Sequence, residues 1–329
     1  MKILITGAAG YIGSVLIDRL LKGPHYDDDG VDTGDWIDGI YQDELSIIAI
    51  DNLLYKQTSL LQFMGDERFT FIKADVRDTS KYEKYVEEAD VIIPLACIVG
   101  MPACNKYPEL AISVNETMIK WLSKKIKPHQ KLIFPTTNSG YGVGQEDIYC
   151  TEETPLNPLS LYGRTKVNAE QAVLDAGGVT LRLATVFGLS PRMRLDLLVN
   201  DFTYKALKDK YIVLFESHFK RNYIHIKDVA DTFMFAINHY DKMKGQAYNV
   251  GLSSANISKL KLCELIKKYV PEFHIVTSEI GKDPDQRNYI VSNQKLEDLG
   301  WTPWWSLNYG IKEIIKAYPM LETNPFTNL

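Results

Sequence analysis

Lys2-Ile3-Leu4-Ile5-Thr6-Gly7-Ala8-Ala9-Gly10-Tyr11-Ile12-Gly13 stands at the start of the chain. A short apolar run, a G-x-x-G-x-x-G turn and then helical periodicity over Tyr11–Lys22 read as strand, tight turn and helix. In such a unit the first glycine permits the turn. The second lets a pyrophosphate approach the backbone, and the third lets helix and strand pack closely. The free N–H groups and positive dipole of the helix N-terminus suit phosphate, so the segment reads as a dinucleotide cradle.

The same rhythm continues outward from that unit. Further short apolar runs at Ser46–Ile50, Thr70–Lys73, Val91–Leu95, Lys131–Pro135 and Thr180–Leu183 predict strands buried on both faces. Helical periodicity separates them, as over Asn115–Lys125. Alternation of this kind predicts an α/β fold, a doubly wound parallel sheet with a smaller mixed α/β lobe after it. The division expected is a dinucleotide-binding domain over 1–187 and a lobe over 188–329. Helices are predicted at Asp228–His239 and Ser258–Tyr269, and a segment near 225–250, with a strand at Tyr248–Gly251, returns to the first domain. One insertion, 24–45, interrupts the pattern. Asp27–Glu44 holds eight acids and neither lysine nor arginine, which reads as a solvated acidic loop; it lacks the ligand order of a calcium loop.

The 329 residues are 45% hydrophobic and 24% charged, ordinary for a globular protein. A net charge of −5 gives no basic field for nucleic acid or a membrane surface. No apolar run reaches the ~20 residues that span a bilayer, and glycines break the only N-terminal apolar stretch, so a cytoplasmic protein without a secretory signal is expected. Cys97, Cys104, Cys150 and Cys263 match no metal or redox spacing and read as reduced thiols, so no metal site is expected.

Two acids follow strands where a dinucleotide needs them. Asp51 ends the second strand, where a carboxylate binds ribose hydroxyls and repels a 2′-phosphate, which favours NAD over NADP. It lies 38 residues beyond Gly13, against the usual ~20, and the acidic insertion accounts for the excess. Asp75, after the third strand, is placed to contact adenine. Downstream, Tyr162 and Lys166 stand as Y-x-x-x-K, on one face of a helix. Tyrosine is a poor base at its reference pKa of ~10, but a neighbouring ammonium favours the phenolate. Tyr162 could then take a proton from a hydroxyl while hydride leaves its carbon. The fifth strand runs out into Thr136-Thr137-Asn138-Ser139-Gly140-Tyr141-Gly142, at the carboxyl end where such sheets bind ligands. A hydroxyl there can share the substrate proton.

Together these stretches resemble the extended short-chain dehydrogenase/reductases of the nucleotide-sugar epimerase/dehydratase family. The match extends to Asp51-Asn52-Leu53, Arg221-Asn222-Tyr223-Ile224-His225 with Asp228, and the Arg287 region. The resemblance implies Thr137, Tyr162 and Lys166 as catalytic residues. It implies NAD held by Gly7, Gly10, Tyr11, Ile12, Gly13, Asp51, Asn52, Asp75, Val76, Leu95 and Ala96 together with Tyr162 and Lys166. It implies a nucleotide-sugar substrate contacted by Asn138, Ser139, Asn200, Arg221 and Arg287, and a homodimer. Arginine suits the diphosphate because its planar fork pairs with phosphate oxygens.

The departures from the family pattern are informative. The 4,6-dehydratases of this family carry Asp-Glu directly after the catalytic Thr; here Asn138 and Ser139 stand there, and neither is a general acid or base at neutral pH. The 3,5-epimerases carry cysteine at the Ser139 position. The common His-Leu-Ala-Ala after the fourth strand is Pro94-Leu95-Ala96-Cys97. What remains is oxidation at C4 of a sugar nucleotide, ending either in release of the ketone or in return of hydride to its other face. The stretches Arg182–Gly188, Pro191–Asp201 and Thr137–Gly142 resemble GDP-heptose C4 dehydrogenases of capsular polysaccharide pathways, which favours release and a GDP-sugar such as GDP-manno-heptose. A 4-epimerase is the alternative. A non-catalytic dinucleotide-binding regulator is a lesser one, opposed by the Tyr162/Lys166 pair. A nucleic-acid binder built on Arg192/Arg194 and Lys220/Arg221 is opposed by the net charge.

Overall fold

The computed structural model describes residues 1–23, 44–145, 147–281 and 287–321. The acidic insertion therefore lies outside the described residues, except for Glu44 and Leu45.

Seven parallel strands form the central sheet: β1 (Lys2–Thr6), β2 (Ser46–Asp51), β3 (Phe69–Lys73), β4 (Val91–Pro94), β5 (Lys131–Thr137), β6 (Val179–Leu183) and β7 (Ala247–Val250). Their order is β3-β2-β1-β4-β5-β6-β7. The expected α/β doubly wound fold is thus present, and the strand near Tyr248 does return to the sheet. Strand composition explains this arrangement. In β1, Ile3 and Ile5 enter one apolar cluster while Leu4 enters the other, so both faces are covered. Each of these side chains is fully buried, worth roughly 1.5–3 kcal/mol apiece.

The order reverses between β1 and β4, which pair in register from Ile3 with Val91 to Thr6 with Pro94. Chain connections leave β1 and β4 in opposite directions there, opening a crevice at the carboxyl ends. Helix α1 (Tyr11–Lys22) begins at this crevice, as the sequence predicts. So does α2 (Leu161–Asp175), which carries the Y-x-x-x-K pair and is capped by the Ser160 hydroxyl accepting from the Gly163 N–H at 3.1 Å.

The helix expected over Asn115–Lys125 starts differently. Ser113–Thr117 is a π-turn, and regular helix covers only Met118–Lys125. The wider turn aims the buried Asn115 amide at the loop after β4, where it accepts from the Ile98 N–H at 2.8 Å and donates to the Ile98 carbonyl at 2.9 Å. After β6 the chain leaves the sheet. Thr185–Phe187 pairs in parallel with Tyr223–His225, and Tyr211–Phe215 with His274–Ser278. Helix α3 (Ile226–Asn238) then packs on α1 and leads back to β7.

Candidate active site

The crevice is a cleft of about 1010 Å³. Gly7, Gly10, Tyr11, Ile12 and Gly13 line one end, with Asp51, Asn52, Asp75, Val76, Leu95 and Ala96 beside them. Thr137, Ser139, Tyr162, Lys166, Arg221 and Arg287 line the same cleft. Residues up to 280 positions apart in the sequence thus meet in one space.

The glycine turn is built for close approach. Gly7 has φ +66°, and a Cβ there would sit 2.5 Å from the Ala96 nitrogen. A Cβ on Gly13 would lie 2.5 Å from the Ala8 carbonyl oxygen. At Gly10 it would meet only the Gly7 oxygen, at 3.0 Å, so that side of the turn faces open space. Asp51 braces the same turn. Its carboxylate accepts from the Ala9 N–H at 3.0 Å, the Leu53 N–H at 2.8 Å and the Gln57 amide at 3.2 Å. Burial pushes the Asp51 carboxyl above its ordinary range. Asp75 is the opposite case. The Arg77 side chain grips both of its oxygens, at 2.9 and 2.8 Å, and holds the carboxyl down at about 2.

At the carboxyl end of β5, Thr137 caps the turn Asn138–Tyr141. Its hydroxyl accepts from the Ser139 N–H at 3.1 Å and donates to the Ser139 hydroxyl at 2.9 Å. The Arg287 guanidinium donates to that same Ser139 oxygen. Burial pushes the Tyr162 phenol far up; the Cys97 thiol adds to this, and the Arg194 charge opposes it. Burial likewise pulls the Lys166 ammonium below the usual lysine range. That ammonium lies over the Phe134 ring, 3.9 Å from its centre.

Two expected substrate contacts are not brought to the cleft wall. Asn200 is fully buried, and its amide is used internally. It accepts from the Gly188 N–H at 3.0 Å and donates to the Tyr11 hydroxyl at 3.2 Å and the Arg194 carbonyl at 2.9 Å. In this structure the Asn200 side chain braces Gly188, Tyr11 and Arg194. Asn138 is buried too, and neither side-chain atom finds a hydrogen-bond partner among the described residues. Ser139, its neighbour, takes the place on the wall.

Residues that the sequence did not single out as site residues also line the cleft, among them Tyr55, Cys97, Arg192, Arg194, Asp196 and Lys259. Arg192 lies over the Tyr55 ring at 5.2 Å, and Asp196 grips Arg194 through bonds of 3.1 and 2.5 Å. The basic pair at 192/194 was visible as composition, but nothing local says which way it faces. All four cysteines are free, and Cys97 alone is only partly buried. Among the described residues, no cluster of three or more His, Cys, Asp or Glu could hold a metal ion. Nor is any helix there long and apolar enough to cross a membrane.

Residues 3–251 match the sequence profile of the NAD dependent epimerase/dehydratase family. The chain belongs to this family. It is 31% identical over 278 residues to an uncharacterized UDP-glucose epimerase, YtcB, of Bacillus subtilis, with 81% of each chain covered. In fold it resembles the UDP-glucuronic acid 4-epimerase of Bacillus cereus, solved with NAD and UDP-glucuronic acid, at a TM-score of 0.81 and 24% identity over 98% of this chain and all of that one. It resembles the dTDP-glucose 4,6-dehydratase of Bacillus anthracis similarly, at 0.78 and 21%, covering 99% and 98% of the two chains. At those identities the likeness speaks to the fold.

NAD is accordingly the cofactor, and the residues of this cleft fit it. A Cβ would fill the cradle at Gly7 and Gly13, and the Lys166 ammonium has a ring beneath it but no hydrogen bond among the described residues. The glycine turn and α1 would hold the pyrophosphate.

Proposed function

We propose that this protein oxidises C4 of a nucleotide-linked sugar to a 4-keto sugar nucleotide, with a GDP-sugar such as GDP-manno-heptose as substrate. One observation carries the reading: the hydroxyl–phenol–ammonium set of Thr137, Tyr162 and Lys166 opens on the same cleft as the glycine cradle, with no carboxylate in the turn Asn138–Tyr141.

The roles follow from chemistry. NAD supplies the hydride acceptor. Tyr162 removes the C4 hydroxyl proton, and Thr137 holds that oxygen through a shared hydrogen bond. Lys166 favours the phenolate over a phenol that burial otherwise keeps protonated. Arg221 and Arg287 hold the diphosphate, and Ser139 the sugar. Elimination of the C6 hydroxyl needs a further acid and base, and Asn138 and Ser139 supply neither. In this division residues 1–187 serve the dinucleotide and 188–329 mainly the nucleotide sugar, in a homodimer.

The reading of the substrate rests on position. The stretches resembling GDP-heptose C4 dehydrogenases contribute Thr137, Ser139, Leu183, Thr185, Arg192 and Arg194 to the cleft wall. A second reading, a 4-epimerase on a UDP-sugar, is supported by the relative named UDP-glucose epimerase. It uses the same three residues and differs in returning the hydride. The test is a panel of GDP-, UDP- and dTDP-sugars given to the NAD-loaded protein, followed by NADH absorbance and product mass. A lasting NADH rise with a product two hydrogens lighter is expected from GDP-heptose. An isomer of unchanged mass without a lasting rise would establish the epimerase instead.

A further inference from the structure

Behind the cleft lies a buried polar network that no step above uses. Glu170 sits on α2 two turns beyond Tyr162 and one beyond Lys166, on the same face. Its side chain and that of Arg182 on β6 are 4% and 7% exposed. Arg182 grips the carboxylate through Nη2 at 2.7 Å and Nε at 3.0 Å. The Thr136 hydroxyl, one residue before Thr137, donates to the other oxygen at 2.7 Å. Arg182 Nη1 donates to the Tyr141 hydroxyl at 3.0 Å, and that hydroxyl donates to the Asn249 amide oxygen on β7 at 2.7 Å. Thr136, just before Thr137, and Tyr141, the last residue of its turn, are thus tied through one ion pair to the helix of Tyr162 and Lys166.

A pair of this kind is an odd choice for stability alone, because taking both charges out of water costs about what their attraction returns. Its placement offers another use. Thr136 and Arg182 face each other in the β5–β6 register, so the clamp fixes the catalytic helix against the strand tip. It also holds a negative charge one turn from the Lys166 ammonium. We propose that Glu170 is a positioning residue for the C4 oxidation, keeping Tyr162 and Lys166 in register with Thr137 and the ammonium in its charged form. The inference rests on the reaction proposed above.

The groups facing the pair are few. Lys166 is faced by the Cys97 thiol, from the loop after β4, and by Glu170. Tyr162 is faced by Cys97 and Cys104, and by the charges of Arg194 and Arg287 from beyond β6. Among the described residues, Glu170 is the one carboxylate acting on Lys166. Its removal leaves Lys166 easier to deprotonate, and the unpaired Arg182 pushes the same way.

The test is Glu170→Gln, which keeps the shape and one acceptor, beside Glu170→Met/Arg182→Met, which replaces both charges with apolar groups of similar length. Both are expected to retain NAD. Turnover should fall about ten- to a hundredfold with KM within about threefold, as expected for a misplaced reacting group. The alkaline limb of the kcat profile should move down by about one pH unit, where loss of a merely structural contact leaves it in place. A second readout needs no substrate: the NMR signal of isotope-labelled Lys166 Cε, assigned with Lys166→Arg, should titrate at lower pH in both variants. An unmoved Lys166 midpoint overturns the inference, as does failure of both variants to fold, which would make the pair purely structural. Wild-type protein inactive on every sugar nucleotide would sink the reaction proposal, while the Lys166 titration would still read this one.

Discussion

Tyr162 carries the sharpest claim at the scale of single residues. Its ring is partly buried and lines the cleft with Lys166. Tyr162→Phe removes one oxygen and keeps the packing, so turnover should fall roughly a hundred- to ten-thousandfold while NAD stays bound. Stopped-flow rates and the bound dinucleotide measure both, and full activity would remove the phenol from the mechanism. Gly7→Ala should behave in the opposite way. A left-handed φ costs alanine about 1–2 kcal/mol, and its Cβ would press on the Leu95–Ala96 backbone. Calorimetry should show lost NAD affinity along with lowered stability. Asp51→Ala should weaken NAD and relax the bias against NADP, read as a ratio of the two affinities. It should also loosen the turn, because the carboxylate holds the Ala9 N–H.

Helix α3 shows what an element adds. Its first turn carries Asp228, whose carboxylate accepts from the Trp304 N–H at 2.7 Å and the Trp305 N–H at 3.1 Å and so ties the helix to residues 304–305. Burial pushes this carboxyl up to about 7. The folded state therefore holds the proton more tightly than the unfolded chain, whose value is 3.8. Its contribution to stability is whole below that value and is lost as the pH rises through about 7. Asp228→Asn keeps an acceptor for Trp304 and should flatten the fall in Tm across that window. An unchanged slope would show that Asp228 does not titrate there. Elements also mark where the sequence stops being readable. The glycine turn, α1 and the strands announce themselves because their periodicity is local. The π-turn at Ser113–Thr117 does not, since its cause is Asn115 reaching the Ile98 backbone 17 positions away. Nor does anything local say that the Asn200 side chain bonds Gly188, Tyr11 and Arg194. Glu170 and Arg182 give no local signal at all; only the packing of α2 on β5 and β6 joins them.

For the whole molecule, the cleft exists because the connections leaving the paired strands β1 and β4 run in opposite directions and because residues beyond β6 line it as well. Tyr11 donates to the Gly188 carbonyl at 2.7 Å, and Ser190 donates to the Tyr11 carbonyl at 2.8 Å. The start of α1 and the loop carrying Arg192 and Arg194 are therefore one piece of structure. NAD bound to that piece should stabilise the entire fold by about 2.7 kcal/mol at a hundredfold excess over Kd, seen as a raised Tm. The most direct test of the central claim is to give the protein GDP-heptose deuterated at C4 and follow the label by mass spectrometry. The expected result is deuterium in the reduced dinucleotide and a 4-keto product without it. Deuterium found again at C4 of an isomeric sugar would contradict release of the ketone, and deuterium that never leaves the sugar would contradict oxidation at C4 altogether.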